Sequence, residues 1–240
     1  MEIEQVINKW FKETESKLAQ TDNEDVVFHV CRSMFAVFKK YCDAILLLAN
    51  DFRMPTKALL RIINDFCITF VWWLQGKTLA EIENRICRSE CTCYEREKKI
   101  YEKAVTSNSQ ELKKFAEEQL KCLGKQRHKL KVKQPAPDML EMLKKISDLF
   151  DKPDAVYAKM VMQFHKAVHL DYSVLGWSAT GGKYGLFQFE EDLAGDGENL
   201  KLCCLAVFYW FIETIYNHYN WSFKEIKDEM QGIIAPACKQ

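Results

Sequence analysis

Apolar side chains at Ile3, Val6, Ile7, Trp10, Phe11 and Leu18 recur every three or four residues, the spacing of one helical face. The polar stretch "TDNED" (21–25) interrupts this pattern and offers an N-cap, so a second helix is predicted over about 24–50. "DFRMPT" (51–56) turns the chain, with Pro55 at the entry to a third helix over about 56–75. The second half of that helix is apolar on every side, which places it at the centre of the fold, and Gly76 ends it. Thr78 and Glu81 have the Thr-x-x-Glu spacing of a capping box, opening a highly charged helix to about 105. "TSNSQ" (106–110) then leads into another charged helix ending near Gly124. Together they predict a projecting hairpin arm over about 78–130. Its expected seam is Leu79, Ile82, Ile86 and Tyr94 against Leu112, Phe115 and Leu120.

Two prolines in "KVKQPAPD" (131–138) forbid helix continuation and mark a linker. Asp138 and Glu141 start a further helix to about 150, and Pro153 and Asp154 start the next. Residues 173–199 form the one long irregular segment, and six of the nine glycines lie between Gly176 and Gly197. Helices over about 199–219 and 222–234 complete the pattern, the second capped by Ser222 with Glu225. The expected fold is therefore all-α: a single domain over 1–240, built as a bundle of eight or nine helices carrying the charged hairpin arm.

Charge adds an asymmetry. Lys and Arg number 34, as do Asp and Glu, which excludes the strongly basic surface of a dedicated nucleic-acid binder. Residues 1–134 carry 24 basic and 19 acidic side chains, whereas 135–240 carry 10 and 15. Opposite halves attract, favouring one body or a paired assembly such as a homodimer.

Ten cysteines accompany a charged, amphipathic "MEIEQVINKWFKETES" with no apolar signal core, so the thiols are expected reduced and the protein cytoplasmic. Cys31, Cys42, Cys67, Cys203 and Cys204 lie in apolar helical contexts and read as small buried hydrophobes. The apolar runs 66–74 and 202–212 are shorter than the roughly 20 residues that span a bilayer, so core helices and no membrane association are expected.

Three motifs invite a chemical reading. "CRSECTC" places Cys87, Cys91 and Cys93 within seven residues, but zinc sites pair two close couples, and only Cys122 on the facing arm offers a fourth ligand. "GWSATGGKYG" (176–185) has Tyr184 where a Walker-type phosphate loop needs Ser or Thr after its lysine, and a helix precedes it. The basic run "KCLGKQRHKLKVK" (121–133) lacks interleaved aromatics for base stacking and reads as a solvated helix end. No cofactor is called for.

Isolated ionisable groups say more. Glu213 is the only charged residue between Lys201 and Lys224, and Arg61 and Asp65 are the only ones between Lys57 and Lys77. Such groups on apolar helices need a partner. In "FHKAVHLDYSVLG" (164–176), His165 and His169 fall on the flank of a helix whose apolar face is Tyr157, Val161, Phe164 and Val168, with Asp171 elsewhere around the wheel. The pair suits an interface hydrogen bond, acid–base work, or a metal completed by Glu213 or Asp65.

These residues carry a resemblance. "ALLRIINDFCITFVWWL", with Arg61 and Asp65, precedes a charged arm, and about a hundred residues after the arginine comes "YAKMVMQFHKAVHLDYS", with Tyr157, His165 and His169. This layout, over about 25–220, resembles a widespread prokaryotic family of helical proteins of unknown function, some in genomic defence neighbourhoods; Asp65 stands where that family has glutamate. The family is in turn distantly similar to the HEPN superfamily of helical bundles, many of them metal-independent ribonucleases acting as dimers. The resemblance implies a site joining Arg61, Asp65, His165, His169 and Glu213 that acts on RNA or a nucleotide. The usual HEPN arginine-to-histidine spacing within one helix is absent from this sequence. Two other readings stand beside it: a non-catalytic module docking a protein partner through the 78–130 hairpin, and a metal-binding bundle.

Overall fold

The structure, a computed structural model, describes residues 2–21, 25–127, 129–146, 179–181, 187–189 and 196–237. Within them lie eight helices: α1 (Ile3–Ala19), α2 (Val26–Leu48), α3 (Arg53–Leu74), α4 (Leu79–Val105), α5 (Gln110–Arg127), α6 (Met139–Lys145), α7 (Asp196–His218) and α8 (Lys224–Ala237). The fold is an all-α multi-helix bundle. Part of the stretch expected to be irregular instead forms a small antiparallel ladder, β1 (Ala179–Gly181) against β2 (Phe187–Phe189), with Thr180 opposite Gln188. Pro55 falls inside the first turn of α3, not in the turn before it; its missing N–H is harmless there, because the first-turn amides have no partner within the helix.

α7 is the axis. Phe208 stacks on Phe11 of α1 at 4.1 Å, and Phe211 lies between Phe38 of α2 at 4.3 Å and Phe70 of α3 at 4.6 Å. All of these rings are fully buried, each contributing roughly 1.5–3 kcal/mol relative to an exposed side chain. Their order fixes direction. Trp10 meets Phe208 and Lys17 meets Tyr216, while the Cys67 thiol donates to the Val207 carbonyl and Phe70 meets Phe211. Thus α1 and α3 run the same way as α7, and α2 runs against them.

Polar clasps tie α1 to the two last helices. Trp10 Nε1 and Lys9 Nζ both donate to Glu229 Oε2 of α8, at 2.8 and 3.0 Å. The buried Lys201 of α7 reaches Glu4 and Glu198, each at 3.1 Å. At the start of α7, a Cβ on Gly197 would come within 2.7 Å of Asn50 Oδ1 and 3.0 Å of the Ala49 carbonyl. Only glycine lets the two helix ends approach so closely.

By length and composition Gly197–His218 could cross a membrane, the one such helix among the described residues; 56% of that stretch is buried inside the bundle.

α4 packs antiparallel on α3 and carries the arm away from it. Thr78 Oγ1 accepts from the Glu81 amide, Glu81 Oε2 accepts from the Lys77 amide, and Arg85 donates to the Trp72 carbonyl. Trp73 Nε1 donates to Ser89 Oγ at 2.8 Å. The Arg85 and Arg88 guanidinium groups both lie over the Trp72 ring, where cation–π attraction adds to packing.

The seam between α4 and α5 keeps Tyr94 and Phe115 of the expected set, Phe115 lying edge-on to Tyr101 of α4 at 6.2 Å, and differs at Leu79, Ile82, Ile86 and Leu112. Leu79, Leu112 and Phe115 are exposed, while Cys91, Tyr94, Ala116 and Leu123 are buried. Ile82 and Ile86 belong instead to the body's core, because the first turns of α4 face α3 rather than α5. The proline linker is also no free tether. Its Ala136 amide donates to both the Arg88 carbonyl and Thr92 Oγ1, and Arg88 places two N–H groups on the Pro135 carbonyl at 2.9 and 3.1 Å. The chain after α5 is thereby laid back along α4 until the Asp138 carboxylate caps α6 at the Glu141 amide.

Candidate functional site

Arg61 and Asp65 stand one turn apart on α3 and form an ion pair, Nη2 to Oδ2, at 3.2 Å. The side chains are 13% and 35% exposed. Among the described residues the other half of each group is unsatisfied: Arg61 Nη1 and Asp65 Oδ1 are buried and have no hydrogen-bond partner there. Buried polar atoms are usually paired, and here two such atoms belong to one ion pair.

Burial dominates the electrostatics of the pair. It pushes the Asp65 carboxyl up to about 6, against the pull of Arg61 beside it and Arg96 on α4. The pair therefore offers a fixed cation with a spare N–H next to a carboxyl that exchanges its proton close to neutrality. That combination suits stabilising an oxyanion and moving a proton beside it.

Glu213 lies elsewhere. Because α3 and α7 run the same way with Cys67 against Val207, Arg61 is level with about residue 201, and Glu213 is roughly 18 Å further along α7 at 1.5 Å per residue. Burial raises its carboxyl and Lys227 of α8 draws it back, while Glu213 in turn helps to raise Tyr209. The structure thus brings Arg61 and Asp65 together and gives Glu213 a separate setting. His165 and His169 lie outside the described residues.

For the cysteine motif the obstacle is angular. Cys91 and Cys93 are about 200° apart around α4; Cys91 is buried, and Cys93 and Cys122 are exposed. Among the described residues no three His, Cys, Asp or Glu side chains converge as metal ligands would. Cys203 is exposed, contrary to expectation, whereas Cys31, Cys42, Cys67 and Cys204 are buried. Burial raises the Cys42 and Cys67 thiols well above their ordinary range, with Cys204 donating to the effect at Cys42. They act as core hydrophobes. Missed in the sequence was the buried Lys201, whose acidic partner on α1 is remote along the chain; only its place among apolar residues hinted at it.

The fold and the pair together define a helical bundle with a half-satisfied arginine–carboxylate site. No protein-family model, no curated protein and no solved structure matches this chain.

Proposed function

We propose that the protein is a helical effector acting on RNA or a nucleotide, with Arg61 as the phosphate-binding and charge-stabilising group and Asp65 as the proton-transfer group beside it. The observation that carries this reading is that Nη1 and Oδ1 of a half-buried pair have no partner among the described residues: a phosphate oxygen would accept from the first, and a ligand hydroxyl would donate to the second. In keeping with the resemblance to a helical family some of whose members lie in genomic defence neighbourhoods, His165 or His169 would act as the base and the activity would serve defence. Glu213 has no part in this version of the site.

Expression of the wild type beside Arg61→Ala, Asp65→Asn and His165→Ala, scoring growth arrest and RNA integrity, tests it. Arrest with RNA loss in the wild type alone is the expected result. Equal behaviour of all four chains overturns the reading and favours the second one, a module docking a protein partner through the arm. That alternative draws on Ile100, Leu112 and Phe115, large apolar side chains 57%, 44% and 51% exposed on α4 and α5, more than a solvated hairpin requires.

A further inference from the structure

A second site lies on the arm, away from the Arg61–Asp65 pair. Where α5 ends and the chain folds back along α4, a cleft of about 710 Å³ opens between the two helices and the returning linker. Its cations come from three separate elements: Lys98 from α4, Arg127 from the last residue of α5, and Lys133 from the linker. Lys98 is held only loosely by Glu102, at 3.5 Å. No acidic side chain is among the described residues that line the cleft. Its apolar wall is Leu120, Leu123 and Leu130, with Tyr94 behind them.

Two features show that this cleft is shaped by the fold rather than left between charged helices. Lys133 is held in place because the adjoining linker is bonded to α4 through Arg88 and Thr92. Gly124, in the last turn of α5, faces open space, with nothing within 4 Å of where a Cβ would stand. Gly124 leaves that wall of the cleft without a side chain beside Arg127.

We infer that this cleft binds a nucleoside polyphosphate, its phosphates held by Lys98, Arg127 and Lys133 and its base laid against Leu120, Leu123 and Leu130. The volume falls within the 300–1,000 Å³ usual for small-molecule sites. The planar fork of Arg127 matches phosphate oxygens two at a time. An apolar wall beside clustered cations selects a ligand that is half ring and half anion, which neither an inorganic phosphate chain nor a neutral nucleoside satisfies. The inference does not depend on the Arg61–Asp65 reading.

Titration of the full chain with ATP, GTP, inorganic tripolyphosphate and adenosine, followed calorimetrically, tests it. Either nucleotide should bind, with tripolyphosphate and adenosine each at least about tenfold weaker. Gly124→Phe, which fills the cleft, and Arg127→Ala should each weaken nucleotide binding at least about tenfold. Gly124→Ala serves as the control for folding, and Arg61→Ala should bind as the wild type does. No binding of either nucleotide at millimolar concentration overturns the proposal. So does tripolyphosphate binding as tightly as the nucleotides, or loss of binding in Arg61→Ala with retention in Gly124→Phe.

Discussion

Arg61 and Asp65 are joined Nη2 to Oδ2 at 3.2 Å, and among the described residues Arg61 Nη1 and Asp65 Oδ1 have no hydrogen-bond partner. The pair is thus stable enough to be held by α3 and incomplete enough to accept something else. Its carboxyl is the group whose protonation state the fold alters most usefully, and this has a measurable consequence.

Because burial raises the Asp65 carboxyl from its ordinary value of 3.8 to about 6, the folded state binds more protons than the unfolded chain between those values. Stability from this group is therefore full below about pH 4 and declines as the pH rises through 6. With a third of the side chain in water, the loss is on the order of 1–2 kcal/mol. Urea unfolding of wild type and Asp65→Asn at pH 4, 5.5 and 7 should show the wild type losing that much relative to the variant. A constant difference across the three pH values would contradict the raised carboxyl.

Two glycines should respond in opposite directions to the same change. A Cβ on Gly76 would stand 2.6 Å from Ile82 Cγ1 and 2.9 Å from the Ile82 amide nitrogen, so Gly76→Ala forces the start of α4 off α3, at about 1–3 kcal/mol. Gly124 has open space, and Gly124→Ala should stabilise α5 by about 0.5–1 kcal/mol. Thermal melts of the two variants, monitored by circular dichroism, should move to opposite sides of the wild type.

Phe211 and Phe115 make a similar contrast between core and surface. Phe211 is fully buried between two rings, and Phe115 is 51% exposed. Phe211→Ala should cost about 3–5 kcal/mol, and Phe115→Ala, which loses the edge contact with Tyr101, only about 1 kcal/mol. Equal losses in chemical denaturation would mean that the arm's outer face is packed against something in solution.

Thiol labelling separates the cysteines by position. Cys93, Cys122 and Cys203 are exposed and should react first with a maleimide at pH 7.5, while Cys31, Cys42, Cys67, Cys91 and Cys204 are buried and should react only on unfolding. The Cys31 thiol, pushed up to about 12 by burial, would have almost no reactive thiolate even if exposed briefly. Mass spectrometry of briefly labelled protein should find Cys93, Cys122 and Cys203 modified, and Cys31, Cys42, Cys67, Cys91 and Cys204 intact.

Local signals read well from sequence. Thr78 with Glu81 and Asp138 with Glu141 cap α4 and α6 as their spacing implies, because capping involves residues only three apart. The Arg61–Asp65 pair stood out because two charges interrupt an otherwise apolar helix. What failed was any feature set by a neighbour far along the chain. The face of α4 on which Ile82 and Ile86 lie depends on α3, which removed them from the arm's seam. Adjacent Cys203 and Cys204 look alike in sequence, yet one is exposed and the other buried, a difference of about 100° on α7. Two of the cleft's cations, Arg127 and Lys133, lie in the basic run 121–133 that read as a solvated helix end; what the sequence hid was Lys98 of α4 and the return of the linker along α4 through Arg88 and Thr92.

The clasp of α1 onto α7 and α8 bears on how the protein is made. Trp10, Phe11 and Glu4 find their partners in Phe208, Glu229 and Lys201, so α1, which leaves the ribosome well before α7 and α8, must wait for both before its apolar face is fully covered. During that interval α1, α2 and α3 present an unfinished surface missing its central rod. Growing chains at this stage should be the form that chaperones bind and proteases cut, and the release of α7 should be the moment at which the nascent protein becomes resistant to both.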